Sequence, residues 1–236
     1  MNSNSSKILT YASGAAGVLF IISLYFTLFY APTEVNLGQA QRIFYQHVSI
    51  SWLYAATLFV TMVAGILYLI TRNDWWDRLA LSCAEIGTIF TILSIISGSI
   101  WAKPSWGDWW TWDPRLISAT ITTLLYIGYL MLRQGIEAPE RRAVFAGVYG
   151  IVAYVSVPLT IFSIRIWRTI HPVVIGSGDP TADGSFNMTP EMRTTLFVNL
   201  ILFSLISIVL IWHRFRLENA KARVEQLKIQ VLTEQP

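Results

Sequence analysis

Two histidines and a knot of tryptophans carry the chemistry available to this chain. His47 closes the run Arg42-Ile43-Phe44-Tyr45-Gln46-His47, and His171 follows Arg165, Trp167 and Arg168 in a later segment. Neutral imidazole is a common ligand for borderline metals. Two imidazoles approaching one ion from opposite sides leave no vacancy for a hydrolytic water, an arrangement that suits a haem iron. Structural zinc would need further Cys, His or carboxylate ligands, and Asp108 and Asp113 have better roles as partners for Lys103 and Arg115. Either histidine alone reads as a hydrogen-bonded interfacial residue, and only the pair points to a ligand set.

Five of the ten tryptophans fall within residues 101–112. Tryptophan is enriched at bilayer interfaces, but a belt spreads over helix ends, as Trp75, Trp76 and Trp212 do here. Trp106, Trp109, Trp110 and Trp112 instead crowd one segment shaped by Pro104, Gly107 and Pro114. Such a segment offers a flat π-rich surface on which a planar macrocycle can stack, burying area at roughly 25 cal/mol per Å². Haem carries two propionates, and Arg42, Lys103, Arg115, Arg165 and Arg168 stand in the same connections to pair with them.

The elements that position these residues follow from composition. The 236 residues are 54% apolar and 13% charged, with a mean hydropathy of +0.51. The charged share is about half that of a soluble domain. Six stretches carry at most one charge each: 8–33, 48–71, 79–102, 116–132, 143–164 and 194–212. About 20 apolar residues cross a bilayer core as a helix, and these runs lack the alternation of barrel strands. The fold class is therefore all-α: a polytopic membrane protein of six transmembrane helices with a tryptophan-rich outer-face loop at 101–115. Residues 1–213 form the membrane domain, and 214–236 form an amphipathic tail. The first run is longer than a secretory signal and is expected to stay as a helix.

With six spans, the connections after the first, third and fifth share one face, and they hold the histidines, the tryptophans and the cations. Of the 17 Lys and Arg, 11 fall on the opposite side with the two termini, which favours cytoplasmic termini and an outer-face site. Cys83 is alone, so there is no disulfide, C-x-x-C or C-x-x-C-H haem attachment motif. Phosphate-loop, H-E-x-x-H and dinucleotide-type glycine motifs are likewise missing, and the dispersed basic residues form no nucleic-acid stripe. The chain reads as a binding and transfer protein, not a hydrolase.

The segment Trp106-Gly107-Asp108-Trp109-Trp110-Thr111-Trp112-Asp113-Pro114-Arg115 resembles the WWD signature of haem-handling membrane proteins. Length, span number and the single WWD loop are most similar to the CcmC branch, the haem-delivery subunit of cytochrome c maturation. Pro114 and Arg165 depart from the family pattern. The resemblance implies that His47 and His171 are axial ligands of haem b and that Trp106, Trp110, Trp112, Asp113 and Arg115 form the WWD core. It implies haem delivery to the chaperone CcmE at the outer face of the inner membrane. An ABC-type ATPase and a second membrane subunit, CcmA and CcmB, and the small subunit CcmD are the further partners implied. The haem edge should be exposed in a shallow outer pocket. Two other readings are a permease-type subunit of an ABC transporter exporting haem and a bis-histidine electron-transfer cytochrome. The first would need a polar path along the helices, and the second a haem near the other face, where only His213 lies.

Three smaller expectations concern the helices. Glu85, the one acid within a span, should reach water or Arg78. Pro158 should bend helix five. The tail should form a helix with Leu217, Val224, Leu227 and Val231 on one side and Glu218–Lys221 and Glu225–Lys228 pairs on the other.

Overall fold

The computed structural model describes residues 3–172 and 188–234. Seven helices follow in order: α1 (Ser3–Tyr25), α2 (Gln41–Thr71), α3 (Asp74–Trp106), α4 (Pro114–Gly135), α5 (Pro139–Tyr154), α6 (Ser156–Ile166) and α7 (Pro190–Glu234). A π-helical turn, Phe26–Tyr30, continues α1. Helices α5 and α6 make one path, so six segments are long and apolar enough to cross a membrane. Among the described residues the only β pairing is an isolated bridge between Glu34 and Gly38. The chain is an all-helical, multi-pass membrane protein, as its apolar runs require.

The helices outrun the apolar stretches, and this shortens the connections between them. Helix α2 starts at Gln41, so the whole Arg42–His47 run is helical. Helix α3 continues to Trp106 with Pro104 inside its last turns, and Gly107 closes it with φ 85°, donating its N–H to the Lys103 carbonyl at 3.1 Å. A left-handed glycine is the usual stop for such an end. The irregular part of the tryptophan-rich segment is therefore 107–113, half the length that hydropathy alone gives it. Hydropathy marks lipid depth, whereas a helix ends only where caps and backbone geometry end it.

The break between α5 and α6 falls at Val155, three residues before Pro158. Pro158 has no N–H to give to the Tyr154 carbonyl, and the regular helix is interrupted there.

Helix α2 is the axis of the bundle, packed against α3, α5 and α7. Its crossing with α5 is close because both helices present glycine: a Cβ on Gly65 would meet the Gly147 carbonyl oxygen at 3.2 Å. Small residues of this kind let membrane helices approach backbone to backbone. A larger core joins Leu53, Tyr54 and Leu58 of α2 to Tyr126 and Tyr129 of α4, and a smaller one joins Phe44, Tyr45 and Trp101 near the outer end.

Polar ties supplement this packing. Fully buried Asn199 of α7 accepts from Ser23 at 2.6 Å and from Gln46 at 3.1 Å, linking α1, α2 and α7. Arg133 at the end of α4 makes a two-pronged pair with Asp77 of α3 at 2.6 and 2.8 Å. Glu85 does not use Arg78; its carboxylate is held two-pronged by Arg214 of α7, which also reaches Glu218. Arg214 lies far along the sequence, so only the fold brings the pair together. His213 is engaged by Ser13 of α1 at 2.6 Å.

Replacing Gly147 with valine should strain the α2–α5 crossing by about 1–3 kcal/mol. A Gly14→Val change, at a site where a Cβ meets nothing within 4 Å, is the control. Thermal melts of both variants in detergent should show a lowered transition for Gly147→Val alone.

Candidate functional site

A cleft opens between α2, α3, α4 and α6 beside the tryptophan-rich segment, with about 570 Å³ of empty space counted out to its mouth. His47 and His171 both line it, with Trp106, Trp110 and Arg115. Residues separated by up to 124 positions thus share one cavity.

His47 sits in the second turn of α2 against α3. Its Nδ1 lies 3.1 Å from the Ser97 hydroxyl, and that hydroxyl donates its own proton to the Leu93 carbonyl at 2.7 Å. Ser97 therefore accepts from Nδ1–H, which leaves the lone pair on Nε2. The ring fits because residue 98 is glycine: a Cβ there would stand 2.9 Å from His47 Cε1.

His171 reaches the cleft from the segment after α6. Its Nδ1 is 3.1 Å from the Pro172 carbonyl, an acceptor only, so Nδ1 again carries the proton and Nε2 the lone pair. Burial, aided by the charge of Arg115 and by His47, holds its pKa well below 6.5. It is neutral at pH 7. An imidazole that gives one N–H to an oxygen and keeps the other nitrogen bare is in the state that binds a metal.

Asp113 ties the tryptophan-rich segment to the one bearing His171. One carboxylate oxygen accepts the backbone N–H of Arg115 at 2.9 Å and caps α4. The other accepts from the Thr169 hydroxyl at 2.6 Å and from the Ile170 N–H at 3.0 Å, while Thr169 receives the N–H of His171 at 3.0 Å. Asp113 is 7% exposed. Its partner is thus the backbone of Arg115, not the guanidinium expected from sequence. The Arg115 side chain turns to the cleft and donates to the Ile161 carbonyl of α6 at 3.3 Å. It is the only Lys or Arg among the described residues lining the cavity.

The aromatic residues divide. Trp106 stands edge-on to His171, with ring centroids 6.2 Å apart, and Trp101 backs it at 5.4 Å. Trp110 forms another part of the wall. Trp109 and Trp112 face outward, 57% and 80% exposed, on the rim. Lys103 is turned to the Gly107 carbonyl at 2.6 Å. Arg42 lies on the α1 side, donating to Gln39 and, at 2.6 Å, to the Thr27 carbonyl in the π-helical turn. Arg165 and Arg168 lie on an exposed stretch.

The cleft is deeper than the shallow pocket expected. Tyr54 and Thr160 line it, and Tyr54 lies seven residues beyond His47, about 10 Å along the helix. Ser97, Gly98 and Thr169 were missed in the sequence. Ser97 and Gly98 read as ordinary small residues of a span, and their role is visible only once α3 is set against α2. Among the described residues no three His, Cys, Asp or Glu side chains group as a metal-ion site, and Cys83 is buried elsewhere in the bundle.

Comparison with known proteins matches residues 1–230 to the family model described as CcmC, Heme exporter protein C. Heme exporter protein C of Bradyrhizobium diazoefficiens is 32% identical over 227 residues, covering 95% of this chain and 84% of that protein. Heme exporter protein C of Escherichia coli strain K12 is 29% identical over 188 residues, 79% of this chain and 74% of that one. A ccmC-like mitochondrial protein of Marchantia polymorpha, named for cytochrome c biosynthesis, is 28% identical over 158 residues, 67% of each chain. With the match running along nearly its whole length, this chain belongs to the CcmC family of heme exporter proteins.

Proposed function

We propose that the cleft holds haem b through Nε2 of His47 and of His171 and presents it to the haem chaperone CcmE during cytochrome c biogenesis. The observation that carries this reading is the shared state of the two imidazoles: both line one cavity, and both have Nδ1–H committed to an oxygen. Trp106 and Trp110 give the macrocycle apolar walls, and Arg115 is the cation placed to meet a propionate. Haem is cargo here, and the iron stays fixed while its periphery is offered.

The rim fits presentation. Trp109 and Trp112 project outward and form the surface a chaperone would meet, with Lys103 beside them. Arg42 holds the π-helical turn and acts on the site only through α2. The 11 Lys and Arg on the face of the termini favour the cytoplasmic side of an inner membrane for that face and the periplasmic side for the cleft. Energy for releasing a loaded chaperone would come from partner subunits of the CcmA, CcmB and CcmD kind, since this chain holds no nucleotide motif. The electron-transfer reading is disfavoured by His213, whose Nε2 is already taken by Ser13.

Absorption spectra of the detergent-purified protein test the ligand assignment. A low-spin b-type spectrum that becomes weak or high-spin in both His47→Ala and His171→Ala is expected; variants identical to the parent, or a parent that takes up no haem, would overturn it. The Asp113→Ala change should lose the cap of α4, about 1 kcal/mol, and release the Thr169–His171 segment. Haem affinity should fall about tenfold or more while circular dichroism keeps its helical signal. Gly98→Ala should push the His47 ring aside and give a mixed high-spin spectrum at unchanged melting temperature, separating ligand placement from folding.

A further inference from the structure

Helix α7 is 45 residues long, unbroken from Pro190 to Glu234, or about 67 Å at roughly 1.5 Å per residue. A bilayer core takes about 30 Å of that. Trp75 packs on Phe215 with ring centroids 5.3 Å apart, and Trp76 and Trp212 lie at the same level, marking the membrane boundary. From Phe215 to Glu234 the helix runs roughly 28 Å further. No Gly or Pro stands between 191 and 234, so nothing in the sequence bends it down onto the bilayer.

This extension bears an apolar line of coiled-coil spacing. Leu217, Val224 and Val231 repeat every seven residues, with Ala220 and Leu227 at the intervening positions. Leu217, Val224, Leu227 and Val231 are each more than half exposed, so the seam is uncovered among the described residues. Ile229 and Leu232 fall off the line in the last turns. The residues flanking the seam are Arg216, Arg223 and Gln230 on one side and Lys221 and Lys228 on the other. Four of the five are basic and none is acidic. The acids, Glu218 and Glu225, lie farther round the helix, reaching Lys221 at 3.0 Å and Lys228 at 3.5 Å; Glu218 is half-buried and also held by Arg214, while the exposed Glu225–Lys228 pair costs little to rearrange.

Charge decides the occupant. A second copy aligned in parallel would set Arg216 against Lys221 and Arg223 against Lys228, and an antiparallel copy would also set base against base. Arg78 and Arg223 line one groove beside the seam with Asn219 and Gln226, adding positive charge to the same side. We propose that the projecting part of α7 docks an amphipathic helix of a partner protein whose own apolar seam is flanked by Asp and Glu.

The test uses the full chain in nanodiscs of zwitterionic lipid and a labelled synthetic peptide of heptads with Leu and Ile in the seam and Glu on both flanks. A Lys-flanked twin and a scrambled peptide of the same acidic composition are the comparisons. The acidic heptad peptide should bind, and Val224→Asp with Leu227→Asp should weaken it at least tenfold. Arg223→Glu with Lys228→Glu should transfer binding to the Lys-flanked twin. Equal binding of the scrambled peptide, no binding of any peptide, or a seam-dependent dimer in sedimentation would overturn the proposal. So would protection of the backbone amides of 217–231 from hydrogen exchange in phosphatidylglycerol nanodiscs without peptide, which would make the occupant the membrane.

Discussion

One buried carboxylate holds together the face that carries the tryptophans and His171. Asp113 begins α4 and, with its other oxygen, collects the Thr169 hydroxyl and the Ile170 N–H. The tryptophan-rich segment and the segment bearing His171 are far apart in the chain and have no regular structure to join them. Their relative position rests on these bonds, which are strong because the acceptor is charged and nearly dry. The cleft is therefore only as well defined as this carboxylate makes it. The WWD motif gains a structural meaning from this: its tryptophans supply walls and rim, while its acid fixes where the second imidazole stands.

The bilayer explains the rest of the design. In hydrocarbon a backbone must satisfy itself, so the histidines reach one cavity from opposite sources: His47 from within a helix and His171 from a segment at the surface. Each ring gives its Nδ1–H to a local oxygen acceptor rather than to a carboxylate. Packing between helices cannot rely on apolar surface alone, since lipid is equally apolar. The glycine crossing of α2 with α5, the Asn199 cluster and the Asp77–Arg133 and Glu85–Arg214 pairs supply the specificity instead.

Much of this was legible in the sequence. The six spans follow from apolar run length, and parity then puts the two histidines and the tryptophans on one face without any structure. The helix break just before Pro158 follows from a missing donor. Helix ends were less legible: hydropathy stops at residue 102, while α3 runs on to a glycine cap at 107. Long-range pairings were not legible at all. Nothing local in Glu85 selects Arg214 over Arg78, and nothing local in Gly98 shows that it clears space for His47. Among the described residues Arg115 is the one cation lining the cleft, and Lys103 and Arg42 are drawn off by the Gly107 and Thr27 carbonyls that only the folded backbone supplies.

The interrupted fifth path has a mechanical consequence. Helix α6 is 11 residues long and is coupled to the site twice, through the Arg115 contact at Ile161 and through the segment that follows it to His171. Its junction with α5 lacks the hydrogen bond that Pro158 cannot make, so this is the most compliant point of the path. Strain at either contact would load that joint first, before it reached the glycine crossing of α2 with α5.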